Sequence, residues 1–276
     1  MTETAARAAA LLARYGGTGT AITDGPWNAV LASLLSHRSV RAYRSDPLPP
    51  GTLETIVAAA QSAATSSNMQ TWSVVAISDP GTRATLARIA AGQRHIEECP
   101  VFLVFLADLS RLARVGETAG VALPALPFLE TFLVAAMDAA IAAQNAAAAA
   151  ESLGLGTVYI GAIRNDPDAV AAALGLPPGA VAVTGLCIGI PDTEREPAAV
   201  KPRLPQVAVL HRDRYQMVDA AKRAAYDQTL EAFSAKSERA RYSWAERVVS
   251  RMGSVRALAG RDRLREALER LGFPLQ

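Results

Sequence analysis

Cysteine, histidine and aromatic side chains are scarce in this chain, which has two cysteines, three histidines and 5% aromatics among 276 residues. Cys99 and Cys187 show no metal-type spacing, so neither a disulfide framework nor a zinc site has enough ligands. A reducing cytoplasm is the expected compartment. No GxGxxG opens a helix and no phosphate-loop pattern of the Gly-x-x-x-x-Gly-Lys-Ser/Thr type occurs, which leaves a Rossmann or P-loop site unsupported. Neither a Ser-His-Asp set nor a carboxylate pair can be assembled, and His95 and His211 read as ordinary surface residues. The expectation is no metal and no catalytic side chain.

Long uninterrupted hydrophobic runs are also missing. The most apolar stretch, residues 128–154, is broken by Glu130, Asp138, Gln144 and Asn145, each expensive in hydrocarbon, and reads as a buried helix of a soluble protein. The N-terminus carries Glu3 early and Arg14 inside its apolar stretch, unlike a secretory signal. Neither charge sign dominates: the formal net charge is +2, although residues 211–276 hold 14 Lys and Arg against 9 Asp and Glu. With only a few aromatics interspersed, such as Tyr215, Tyr226, Phe233, Tyr242 and Trp244, that surplus reads as a solvated helical face rather than a nucleic-acid surface. No nucleic-acid or membrane partner is expected.

What is present is a globular balance, half hydrophobic and one fifth charged, on a chain long enough for a large core. An Ala-rich helical arm closes at Gly16 and Gly17. Trp27, Val30, Leu31, Leu34 and Leu35 fall at helical spacing, and a second helix follows Gly51. WSVVAIS and CPVFLVFLAD read as buried strands, a Gly- and Pro-containing stretch covers 116–127, and a long helix runs from about Phe128 to Leu153. TVYIGAI and AVAVTGLCIGI are further strands around a short helix near 168–174, and the chain beyond Tyr215 is helical or extended. Helices and strands do not alternate strictly, which favours an α+β fold over a doubly wound sheet.

Four stretches carry candidate chemistry. HRSVRAYR, residues 37–44, clusters His37, Arg38, Ser39 and Arg41 where a helix gives way to extended chain. Alternation lets Ser39 and Arg41 share a face, and guanidinium forks suit phosphate or a carbonyl–imide edge; a cationic cap on the preceding helix is the alternative. TSSNMQTW, residues 65–72, lines up Ser66, Ser67, Asn68 and Gln70, which suit a polar heterocycle and a polyol chain or make a plain Ser/Asn turn. KPRLP, residues 201–205, sets Lys201 and Arg203 on one face of a proline-stiffened segment, as a phosphate grip or an exposed linker. Gly161, in IGAIRN, admits close approach of a flat ligand or marks a bulge.

In order, HRSVRAY, TSSNMQTW, the Gly92-Gln93 pair, QNAAAAAESLGLGTVYIGAIRN and KPRLP resemble the flavin-binding segments of the nitroreductase superfamily, in its NADPH-dependent nitro/flavin reductase subgroup. The resemblance spans residues 27–216 and is looser beyond, through AAYDQTL and RARYSWAERV. It implies a mostly antiparallel central sheet flanked by helices and an intertwined homodimer with FMN at the subunit interface. The divisions it implies are an N-terminal arm over 1–26, an FMN-binding core over 27–216, and a helical extension over 217–276 making dimer and NADPH contacts. The Ala-rich helix would form much of the partner contact. By the same resemblance His37, Arg38, Ser39, Arg41, Lys201 and Arg203 hold phosphate and ring. Ser66, Asn68, Gln70 and Gln93 meet ribityl and ring edges. The backbone of Ile160, Gly161 and Ala162 faces the flavin N5; Ala162 stands where the family pattern has a second glycine. The implied activity is ping-pong hydride transfer from NADPH, or NADH, to a nitroaromatic, quinone or flavin, with Arg239, Arg241 and Arg247 as candidates for the 2′-phosphate. A flavin-sequestering protein and the same fold turned to dehalogenation or flavin fragmentation stay open. No role is assigned to residues 1–26.

Overall fold

The computed structural model describes residues 2–17, 25–238 and 240–276. Helices α1 (Glu3–Tyr15) and α2 (Ala29–Leu35) open the chain, followed by α3 (Thr52–Gln61) and strand β1 (Trp72–Ile77). Then come α4 (Pro80–Ile89), α5 (His95–Glu98), β2 (Val101–Asp108), α6 (Ser110–Ala119) and the long α7 (Leu129–Ser152). The remainder is β3 (Gly156–Ile160), α8 (Pro167–Leu174), β4 (Ala180–Gly189), α9 (Ala220–Ser237), α10 (Trp244–Met252) and α11 (Leu264–Arg270). The chain divides into two compact units, each discontinuous in sequence: residues 1–38 with 198–257, and residues 39–197 with 258–276.

The larger unit is built on a four-stranded sheet of order β1-β2-β4-β3, antiparallel at every pairing. β2 is flanked on both sides, and its residues from Phe102 to Asp108 are all buried, which is why its sequence is continuously apolar instead of alternating. On one face, Leu103, Phe105, Leu186 and Ile188 pack with Ile56 and Ala60 of α3 and with Ala142, Ala143, Ala146, Ala147 and Ala150 of α7. The alanines therefore lie against the chain's own sheet and α3, where small side chains allow close approach. Any partner contact by α7 falls to the residues it leaves exposed. The large apolar residues α7 leaves exposed are Leu129, Leu133, Met137 and Ile141, one every fourth position. Among the described residues α7 is the one helix long and apolar enough to cross a membrane.

Two local readings are corrected. The stretch that began as a Gly-containing connection is helical through Ala119: α6 includes Gly116, where a Cβ would lie 2.9 Å from both Leu123 Cγ and the Val121 carbonyl. The glycine is there because the chain returns across the helix. The strand read as TVYIGAI stops at Ile160, and Gly161–Asn165 form a 3-10 turn.

Gly156 fixes the next element. A Cβ there would come within 2.8 Å of Cβ and both methyls of Val40, whose amide donates to the Thr157 carbonyl at 2.8 Å. Gly156→Ala is expected to cost about 1–3 kcal/mol as the segment around Val40 is pushed off β3. Chemical denaturation reads the loss, and an unchanged midpoint contradicts the packing described.

Candidate functional site

In the larger unit, residues 39–44 run as an extended edge segment beside β3 and the end of β4, with bridges Ser39 to Thr157 and Tyr43 to Pro191. Val40, Ala42 and Tyr43 are buried, while Ser39 and Arg41 are exposed on the alternate positions. Two polar side chains thus share one face of an anchored backbone.

The loop at 65–71 is more constrained than a Ser/Asn turn. Ser66–Asn68 make one 3-10 turn, and Ser67, Asn68 and Gln70 adopt φ of 49°, 56° and 53°. Such left-handed conformations at non-glycine residues persist only where the surroundings over-determine them. The determinant is Asp138 on α7. Its carboxylate accepts from Thr65 Oγ1 at 2.5 Å, the Ser66 amide at 3.1 Å, the Thr71 amide at 3.2 Å and Thr71 Oγ1 at 2.8 Å. Burial works against ionisation of Asp138, but these donors outweigh it and hold its carboxyl below the ordinary aspartate value. The loop is further tied by Thr65 Oγ1, which accepts from the Gln70 amide at 3.0 Å, and by Arg111, which donates to the Gln70 carbonyl at 3.0 Å. Ser66, Asn68 and Gln70 are left exposed, with Gln70 Nε2 donating to Asn68 Oδ1 at 3.3 Å. A cavity of about 240 Å³ opens on the flank of this loop, lined by Thr65, Gln70, Trp72, Ser73 and Arg111 among others. A larger one, about 330 Å³ beside Pro47 and Thr52, contains none of the candidate donors.

Gln93 follows Ala91 and Gly92, both left-handed, and donates to the Ala90 carbonyl at 2.9 Å. His95, read from sequence as a surface residue, is instead partly buried, and its Nε2 is enclosed without a hydrogen-bond partner among the described residues. Burial, then the Arg41 charge, lowers its pKa. After the buried Ile160, the 3-10 turn leaves its first amides, Gly161 and Ala162, without acceptors inside the turn. Arg164 folds beneath this turn and donates to the Val183 carbonyl.

In the smaller unit, His37 and Arg38 follow the C-terminus of α2, and Arg38 donates to the Ser36 carbonyl at 3.3 Å. The KPR stretch is held at every residue. Tyr226 Oη donates to the Pro202 carbonyl at 3.0 Å, and the Arg203 amide to the Arg14 carbonyl at 2.8 Å. Pro202 is buried, while Lys201 is partly exposed and Arg203 exposed on either side of it. Lys201 Nζ pairs with Glu238 and donates to Tyr242 Oη at 3.0 Å; Arg247 stacks 3.9 Å from the centre of the Tyr242 ring. Burial raises the Glu238 pKa, and the hydrogen bonds from Lys201 and Tyr242 bring it below the ordinary value. Arg241 pairs with Glu231 at 2.8 Å, and Arg239 lies outside the described residues.

Sequence reasoning missed Asp138, Glu238 and Arg14. Asp138 left a signal, a lone carboxylate on the alanine side of an apolar helix. The other two left none, because Lys201, which both of them contact, is distant in sequence from each, 187 residues from Arg14.

The donor chemistry is thus cationic along 37–38 and 201–203, and neutral along 66–70, at Gln93 and on the 161–162 backbone. The cationic donors of the smaller unit suit a phosphate, and the neutral donors of the larger unit suit a polar heterocycle. Comparison with known proteins shows the family. Residues 34–190 match the profile described as the nitroreductase family, and residues 201–276 that of the nitroreductase family C-terminal domain. This chain belongs to the nitroreductase family. It is 36% identical over 227 residues to an NADPH-flavin oxidoreductase of Vibrio harveyi, covering 82% of this chain and 91% of that protein. It is 36% identical over 217 residues to an oxygen-insensitive NADPH nitroreductase of Salmonella typhimurium, covering 78% and 87%. Among solved structures, the hypothetical oxidoreductase YcnD of Bacillus subtilis matches with a TM-score of 0.85 at 36% identity, over 91% of this chain and 100% of that one. The NADPH:FMN oxidoreductase of Vibrio harveyi complexed with NAD+ matches with a TM-score of 0.80 at 33% identity, over 90% and 100%.

Proposed function

We propose that this protein is an FMN-dependent oxidoreductase that oxidises NADPH and reduces small aromatic or quinone acceptors, working as a homodimer. The observation that supports it best is that the donor-bearing stretches sit inside the family match while their donors suit the successive parts of FMN. Lys201, Arg203, His37 and Arg38 suit the phosphate dianion, Lys201 with part of its charge already met by Glu238. Ser66, Asn68, Gln70 and Gln93 suit the ribityl hydroxyls and ring edge, with Ser39 and Arg41 on the ring. The amides of Gly161 and Ala162, and the backbone of Ile160 before them, are the donors for the ring nitrogen that accepts hydride. Bound FMN supplies the redox chemistry; the chain binds, orients and excludes water. The partner surface we propose is the exposed stripe Leu129, Leu133, Met137 and Ile141. The buried, unbridged Cys99 and Cys187 suit a cytoplasmic setting.

Steady-state NADPH oxidation with menadione or nitrofurazone tests the reading. Turnover that depends on FMN, with parallel-line kinetics, is the expected result. FMN-loaded protein that leaves NADPH unoxidised contradicts it.

A further inference from the structure

We infer that Arg14, on the N-terminal helix, is a positioning residue for the phosphate-binding stretch, so that residues 2–17 are an intramolecular brace for FMN. The inference rests on the reading above that Lys201 and Arg203 hold the phosphate. Arg14 is 6% exposed, and its guanidinium fork reaches three carbonyls in two separate stretches. Nη1 donates to Lys201 at 3.0 Å, while Nη2 donates to Leu35 and to His37, each at 2.7 Å. Its own carbonyl accepts from the Arg203 amide at 2.8 Å. One residue therefore ties the chain leaving α2, just before Arg38, to both ends of KPR. A planar fork can do this and a point-charge ammonium cannot.

The helix carrying Arg14 is itself seated. α1 ends at Gly16 in a left-handed conformation, φ 61°, where a Cβ would lie 2.3 Å from the methyl of Thr229 on α9. Only glycine allows the arm to end so close to that helix. The brace also adds a buried positive charge beside two phosphate-facing cations. The solved relatives are matched over their full length by about nine tenths of this chain, so about a tenth of it has no counterpart in them. The family profile begins at residue 34.

The test is a titration of the full-length apoprotein with FMN and, separately, with riboflavin, which lacks the phosphate, following flavin fluorescence. Arg14→Ala and Arg14→Lys are compared with the wild type and with Lys201→Ala/Arg203→Ala. The expected result is that both Arg14 variants weaken FMN about tenfold or more while riboflavin affinity moves by less than about threefold. The FMN-to-riboflavin preference falls, which a loss of overall stability does not produce. If Arg14→Ala fails to fold, Arg14→Lys, which keeps the charge and loses the fork, carries the test. An unchanged FMN preference in Arg14→Lys, with Lys201→Ala/Arg203→Ala losing it, overturns the brace and spares the phosphate reading. If the double variant also keeps the preference, the phosphate reading itself has failed.

Discussion

Replacing Lys201 and Arg203 together by alanine is expected to raise the Kd for FMN by roughly a hundredfold, with little change in the melting temperature of the apoprotein. Charge-assisted hydrogen bonds to a phosphate are each worth about 1.5–3 kcal/mol, and partial exposure of these side chains places the effect toward the low end. The two residues are not equivalent. Lys201 already pairs with Glu238 and Tyr242, so part of its charge is neutralised before any anion arrives. Arg203 makes no ion pair among the described residues, and its guanidinium donates to the Lys201 carbonyl at 3.1 Å. Arg203→Ala alone is therefore expected to weaken FMN more than Lys201→Ala alone. Fluorescence titration ranks them, and equal, negligible effects remove the stretch from the site.

The second large effect is expected at Asp138. Asp138→Ala removes the common acceptor of four donors, among them the amide and hydroxyl of Thr71, a residue with no exposed surface. Leaving buried donors unsatisfied costs about 1–3 kcal/mol each before relaxation, so a net loss of about 3 kcal/mol is expected. The left-handed residues Ser67, Asn68 and Gln70 then lose what holds them, and flavin affinity falls with stability. The pH dependence has a definite sign. The folded-state pKa of Asp138 lies below its unfolded value, so its contribution is complete above about pH 4 and is lost as pH falls through the folded value. Urea midpoints of wild type and Asp138→Asn should differ by a constant amount from pH 7 to about pH 4 and converge below it. A difference that grows on acidification contradicts the network.

Much of the fold could be read from sequence where its signals are local. The apolar run of β2, the alternation that exposes Ser39 and Arg41 and buries Val40 and Ala42, and the proline-stiffened KPR stretch all report their surroundings within a few residues. The α+β class followed from the same signals. What escaped depends on partners distant in sequence. α6 was obscured by Gly116, whose reason is the chain crossing at Val121 and Leu123. The alanines of α7 signalled close packing without saying against what, and the answer is the sheet of the same chain. Asp138 looked like an interruption of an apolar helix and is the acceptor that shapes a loop more than 65 residues earlier. Arg14 looked like a charge that spoils a signal sequence, yet it bonds to Lys201, 187 residues away.

The most direct measurement is identification and quantification of the flavin released from the purified protein by denaturation. One FMN per chain, with uptake restored on adding FMN to the apoprotein, is the expected result. A protein that is colourless as purified and takes up no added FMN contradicts the account at its root.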